Sequence, residues 1–334
     1  MGIYYIGIFP PPYGGVTIKN ENLYNAISSK LTINRIDLNK IKKFNLVECI
    51  RLCCVLVNRN TKLMIGVAGQ RRAFTKLLYF INRSCMQNSI IFIMGGVAGK
   101  EIASDLEYIK YMKKYKTIYV ETKGMKEEFN NIGLFNVEIY PNARHRSNAT
   151  MYPNKKNEQT LKCVFFSLID KIKGADIILE TAQCVGNAEF HFYGEISSKF
   201  REDFFKEINV LDNAYYHGVF KGTSDDVYNE LKKYDVLLLP TKWKAEGVPG
   251  ILVESKIAKV PAIVSNINYN AEIVRDNVDG IVLEKNDSVN LSLTINRLIS
   301  NREVVSKMSQ ECEKSAEQYF IDTHLDRIVE CFLE

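Results

Sequence analysis

The chain has 334 residues, with 44 Lys and Arg against 39 Asp and Glu and an apolar share ordinary for a globular protein. That length exceeds one typical hydrophobic core and suits two domains, and no run approaches the roughly 20 apolar residues that a membrane-spanning helix needs. Charge is uneven: residues 1–150 hold 22 basic and 10 acidic residues, the remainder 22 and 29, an asymmetry that points to an anionic partner and weighs against a uniformly solvated chain.

The first seven residues carry no basic segment ahead of their apolar run, so a first strand is expected there and not a secretory leader. Residues 4–9 read as that strand, 10–15 as a tight Pro/Gly loop and 17–30 as a helix. Further strands are expected at 34–38, 62–67, 89–94, 117–120 and 137–140, with helices between them. The segment 71–86 mixes Arg71, Arg72, Lys76 and Arg83 with Phe74, Leu77, Leu78, Tyr79, Phe80 and Ile81 at roughly helical spacing. It reads as an amphipathic helix packed on a sheet with a solvated basic rim, the alternative being a helix lying on a membrane surface. Lys123 to Ile132, followed by Gly133, has the form of a helix with a glycine stop.

Pro141-Asn142 opens a polar stretch to about residue 160 that reads as a linker. The alternation then restarts. Strands are expected at 161–168, 189–193, 215–219, 236–239, 262–264 and 280–283. Helices are expected at 174–184 and 225–233, the latter with Ser224 as N-cap, and from about Asp287 onward. Strands alternating with helices argue for parallel sheets with crossover helices. The expected organisation is an α/β chain of three parts: residues 1–150, residues 151–315, and a C-terminal helix at 316–334 that packs back on the first domain.

Eight cysteines show neither C-x-x-C spacing nor a neighbouring histidine, so reduced, buried, structural thiols are expected, and no metal site. The four histidines are scattered, and His191 and His217 fall in strand-like runs that suit a structural role.

Three segments fall at the carboxyl ends of expected strands, where open α/β sheets bind ligands. After the first strand comes P-P-Y-G-G-V (11–16), whose Gly14 and Gly15 let backbone approach a ligand at a helix N-terminus. After the first strand of the second half comes S-L-I-D-K-I-K-G (167–174), which places Lys173 to meet an anion. After the apolar run 236–240 comes E-G-V-P-G-I-L-V-E (246–254). A strand, a Gly/Pro turn and a helix start make the N–H groups of Gly250, Ile251 and Leu252 donors for a phosphate. Glu246 and Glu254 flank that anion site, where a carboxylate serves best as an acceptor for hydroxyls. Hydroxyls on both sides of a diphosphate describe a nucleotide sugar. No G-x-G-x-x-G follows the first strand, which argues against a dinucleotide oxidoreductase, and no recognised nucleic-acid motif accompanies the basic half.

The second half resembles the nucleotide-binding domain of the family 4 retaining glycosyltransferases. Glu246-Gly247-Val248-Pro249 with Glu254 matches the family's E-G-x-P-x-x-x-x-E. Ala258, Val260-Pro261-Ala262-Ile263, Glu272-Ile273-Val274 and Asp279-Gly280-Ile281-Val282 continue its pattern. Lys173-Gly174-Ala175-Asp176 and the 234–240 strand match upstream segments. Gly14-Gly15-Val16 is similar to its glycine loop and Pro141-Asn142 to its hinge. Gly95-Gly96 and K-G-M-K-E-E (123–128) look most like bacterial capsule and O-antigen polysaccharide enzymes.

The resemblance implies a GT-B fold, two Rossmann-like domains facing an interdomain cleft. It implies transfer of a sugar from a UDP- or GDP-sugar to a saccharide acceptor, with retention at the anomeric carbon, without a metal and with no cofactor beyond the donor. By the same resemblance Glu254 takes the ribose hydroxyls, and Glu246 takes donor-sugar hydroxyls and the developing positive charge. Lys173, the Gly15 N–H and the helix start at Gly250, Ile251 and Leu252 hold the diphosphate, with Gly14 and Gly247 also on the donor-binding side. The family usually has Arg where this chain has Leu168, so a first-half cation such as Lys19 or Arg144 is expected to compensate. Gly95 and Gly96 stand where the family often has a sugar-touching histidine. The expected partners are the nucleotide sugar, a polyprenyl-diphosphate-linked acceptor and an anionic membrane surface, with no nucleic acid. That places the chain on the cytoplasmic face of the membrane as a peripheral protein. A soluble acceptor, or a nucleotide-sugar binder of weak activity, is the alternative.

Overall fold

Alternating apolar runs and helical segments build two parallel sheets. The computed structural model describes residues 2–11, 14–146 and 160–333. The strands β1 (Ile3–Gly7), β2 (Asn34–Asp37), β3 (Lys62–Gly66), β4 (Ile90–Phe92), β5 (Thr117–Val120) and β6 (Val137–Ile139) form one sheet in the order β2-β1-β3-β4-β5-β6. The strands β7 (Leu161–Phe166), β8 (Ala188–Tyr193), β9 (Ala214–Tyr216), β10 (Val236–Leu239), β11 (Ala262–Ser265) and β12 (Gly280–Leu283) form the other, in the order β12-β11-β10-β7-β8-β9. Every ladder is parallel. Strands covered by helices on both faces carry apolar residues at successive positions, as in β10, where all four are buried.

The chain divides into two compact units. The first comprises residues 1–145, 245–248 and 318–334, the second residues 146–244 and 249–317. In the first, Tyr5, Phe9, Ile27, Met64 and Phe92 pack with Leu325, Ile328 and Phe332 of the Asp322–Leu333 helix. In the second, Phe165, Phe190, Phe192, Phe204, Leu238 and Ile295 are central. Strand order reverses at β1 in the first unit and between β7 and β10 in the second, the switch points where such sheets receive ligands.

Some local expectations are corrected. The 71–86 segment is two helices, Arg71–Ile81 and Arg83–Gln87, because the Asn82 side chain accepts from Cys85 N and starts a new helix. The N-cap at 224 lies one residue earlier: Thr223 accepts from Asp226 N, and Asp226 reciprocates. Only Cys85, Cys163 and Cys312 are buried, whereas Cys53, Cys54 and Cys184 are exposed. An apolar neighbourhood in sequence does not tell which helix face turns inward. Most of the expected linker, 147–159, lies outside the described residues.

Candidate functional site

In the first unit, β1 leads to the Gly15–Ser28 helix. Of the expected 11–16 loop, Pro12 and Tyr13 lie outside the described residues. Gly14 is the N-cap, and its N–H donates to Thr17 Oγ1 at 2.9 Å. Beyond its chain neighbours and its own helix backbone, no described atom lies within 4 Å of where a Gly15 Cβ would stand. The helix is fixed by the buried Asn20, which donates to the carbonyls of Ile8 (2.9 Å) and Gly66 (2.8 Å) and accepts from Tyr5 Oη (2.9 Å). Next to Asn20 in the same helix, Lys19 forms a largely buried ion pair with Glu121, just past β5. Burial lowers the Lys19 pKa, and the Glu121 carboxylate opposes that shift. Both line a small opening with Leu23, Phe92, Tyr119 and Tyr140.

Glu121 was not foreseen from the sequence. Its second oxygen accepts from Val248 N at 3.3 Å, so it also holds the 245–248 segment. Asn142 Nδ2 donates to Val248 O at 2.9 Å from the other side. A Cβ on Gly96 would stand 2.1 Å from Glu246 O, and one on Gly247 3.1 Å from Gly95 Cα. Gly95, with φ +103°, and Gly96 therefore make room for the backbone that carries Glu246. Arg144 is buried and points at carbonyl groups, donating to Asn142 Oδ1 at 2.6 Å and Ala143 O at 3.1 Å. Lys19 is matched by Glu121, so the pair offers a dipole and no net charge.

In the second unit, the loops after β7 and β10 lock together at the switch point. Asp170 caps the short 3-10 turn Lys171–Lys173 by accepting from Ile172 N at 2.8 Å. Gly174 follows at φ +81°, with Pro240 O only 2.1 Å from where a Cβ would be. Lys242 N donates to Ile172 O at 2.8 Å. Ser265 Oγ donates to Thr241 O (2.7 Å) and Asn286 Nδ2 to Pro240 O (3.0 Å). Lys173 is buried, with its ammonium 4.3 Å from the centre of the Trp243 ring. Leu168, Ile172 and Trp243 are apolar yet exposed here. Trp243, the sole tryptophan, was passed over in the sequence, and its place just beyond a strand end was the available signal.

The Gly250–Ile257 helix begins after Pro249, whose side chain has no polar atom to cap it. Its first N–H groups, those of Gly250, Ile251 and Leu252, carry the positive end of the helix dipole, and no acidic side chain lies in the first turn. Leu252 N is turned back to Pro249 O at 3.1 Å. Glu254 sits one turn on, partly exposed. The 246–254 motif is thus divided: Glu246, Gly247 and Val248 group with the first unit, Gly250 to Glu254 with the second. Among the described residues no cluster of His, Cys, Asp and Glu is arranged to hold a metal, and no helix is long and apolar enough to cross a membrane.

Residues 148–318 match the model of a family described as glycosyl transferases group 1. The chain is 29% identical over 144 residues to an Escherichia coli protein named UDP-Gal:alpha-D-GlcNAc-diphosphoundecaprenol alpha-1,3-galactosyltransferase, covering 42% of this chain and 35% of that one. It is 27% identical over 139 residues to an uncharacterised 41.2 kDa protein in the cps region of Klebsiella pneumoniae, covering 40% of this chain and 36% of the other. The chain thus spans about a third of the length of these curated relatives. Among solved structures, Anabaena Alr3699/HepE in complex with UDP superposes with a TM-score of 0.77 at 11% identity, over 99% of each chain.

Proposed function

Because the chain belongs to the glycosyl transferases of group 1 and has the GT-B fold, we propose that it moves a sugar from a nucleoside-diphosphate sugar to a lipid-linked saccharide, with retention of anomeric configuration and without a metal. The observation that carries this reading is the buried Lys173, locked beside the loop that leads to the uncapped Gly250–Ile257 helix, within the span matched by the family. A lysine and a helix N-terminus are donors aimed where negative charge grows as the sugar–phosphate bond breaks. They supply the charge a metal supplies elsewhere, and no cofactor beyond the donor is called for.

In this reading the anomeric C–O bond breaks and its electron pair goes to the diphosphate, held by Lys173, the Gly15 N–H and the N–H groups of Gly250 and Ile251, the Leu252 N–H being engaged by Pro249 O. Glu254 accepts from the ribose hydroxyls. Glu246 accepts from donor-sugar hydroxyls and stabilises positive charge at the anomeric carbon. The acceptor hydroxyl adds on the face the diphosphate leaves and passes its proton to a diphosphate oxygen. The opening lined by Lys19 is assigned to the acceptor side. The name of the Escherichia coli relative supports a diphosphoundecaprenol-linked acceptor, and the Klebsiella relative supports a surface polysaccharide. Such an acceptor places the chain at the cytoplasmic membrane face, where its basic first half meets anionic lipid.

A panel of UDP- and GDP-sugars, scored for binding and slow hydrolysis, tests the reading. Lys173→Met is expected to weaken nucleoside-diphosphate binding at least about tenfold, and Glu246→Gln to lower turnover at least about a hundredfold with that binding kept. Wild-type rates in both variants overturn the assignment. The exposed Leu168, in place of an arginine, favours a second reading, a nucleotide-sugar binder of weak activity. Tight donor binding without hydrolysis or transfer would select it.

A further inference from the structure

The Leu46–Val57 helix is apolar at ten of its twelve positions, yet only Glu48, Val55 and Leu56 are buried. Leu46, Ile50, Cys53 and Val57 recur at helical spacing on the exposed side, with Val47 and Cys54 beside them. Leu46 is 75% exposed and Ile50 63%. Just ahead, Phe44 is 86% exposed and held at φ +57°, a conformation bulky residues avoid. Single exposed apolar residues need no explanation, but a whole helix face with a strained aromatic at its tip does. The neighbouring Arg71–Ile81 helix, linked through Asn82 Nδ2 to Leu56 O at 2.9 Å, adds exposed Leu77, Phe80 and Ile81.

Charge identifies what covers this face. Residues 38–87 hold ten Lys and Arg and one acidic residue, Glu48, whose carboxylate is buried against Arg51 at 2.9 Å. Lys40, Lys42, Lys43, Lys76 and Arg83 are exposed around the apolar residues. A second copy of the chain would bring like charges together. A surface of anionic headgroups over acyl chains satisfies both the basic rim and the apolar centre. The patch also starts at the right end of the sheet. Asp37, at the end of β2, caps the Leu38–Lys42 helix, and Asn39 Nδ2 donates to Phe9 O, in the loop after β1, at 2.9 Å.

We propose that Phe44 and the exposed face of the Leu46–Val57 helix form the membrane-docking surface, inserted among anionic lipids and ringed by Lys40, Lys42, Lys43, Lys76 and Arg83. The proposal rests on the reading of a membrane-held acceptor and names the surface that meets that membrane. It moves the docking element from the 71–86 segment to the helix before it.

Co-sedimentation with vesicles of phosphatidylcholine containing 30% phosphatidylglycerol tests it. The full chain is expected to bind these vesicles, to bind pure phosphatidylcholine at least tenfold less well, and to weaken as salt rises toward 1 M. Phe44→Ser with Ile50→Ser is expected to lose at least tenfold in partition at unchanged thermal unfolding, as is Lys42→Glu with Lys43→Glu. Phe135→Ser, an exposed aromatic elsewhere in the same unit, is expected to bind as wild type. Equal partition of the Phe44/Ile50 variant overturns the proposal, as does indifference to lipid charge, or a wild-type dimer that this variant dissociates. Donor hydrolysis measured without vesicles separates the two readings. If it is absent in the wild type while vesicle binding follows the expected pattern, the transferase reading fails and the docking surface stands.

Discussion

Glu121 shows what a single side chain does here. One carboxylate oxygen neutralises Lys19 and the other receives Val248 N, so an acidic residue 127 positions earlier in the chain sets the backbone that carries Glu246. Removing Lys19 alone strands a buried charge. Lys19→Met is expected to cost about 3 kcal/mol in urea unfolding, and Lys19→Met with Glu121→Gln to recover most of it; a double variant as unstable as the single would show the pair is not coupled. Gly96 is a second such point. Gly96→Ala places a methyl 2.1 Å from Glu246 O, so the 245–248 segment must shift. Transfer is expected to fall at least about tenfold, since catalysis tolerates little misplacement of its groups, while urea unfolding moves far less. None of this was legible in V-E-T-K or G-G as strings, because the partners of each residue lie more than a hundred positions away.

At the scale of elements, the strands were read well and the helix faces were not. A parallel strand buried on both faces has a continuous apolar run, which the sequence displays directly, as at β10. A helix shows only that one side is apolar. The Asp322–Leu333 helix turns Leu325, Ile328 and Phe332 inward onto the first unit's core, while the Leu46–Val57 helix turns much of its apolar surface outward. Ile328→Ala is expected to destabilise by about 3 kcal/mol, measured by urea unfolding. A cost below 1 kcal/mol would mean that the helix is dispensable to that core.

The whole molecule carries its charge unevenly, and its titration follows its burial. His145, His191, His217 and His324 are all pulled below the ordinary value of 6.5, burial being the first cause in each. His191 Nδ1, in β8, and His217 Nε2, just past β9, lie 2.9 Å apart. A folded-state pKa below the unfolded one means that the unfolded chain binds more protons in mild acid. Stability is then flat above neutral pH and falls as pH drops through 6.5 toward 5, ahead of the carboxylates. The urea midpoint is expected to drop over that window, and His191→Gln with His217→Gln to shrink the drop; an unchanged slope would place the proton uptake elsewhere. The sequence by itself determined the alternation of strands and helices, the two-unit α/β class and the 246–254 motif, because each is written in local apolar spacing and in Gly and Pro. Only the tertiary structure decided that Glu121 seats the Glu246 segment, that Trp243 lies against Lys173, and which apolar helix face is left for a partner. Those outcomes depend on which distant surfaces compete to exclude water, and local spacing carries no record of that competition.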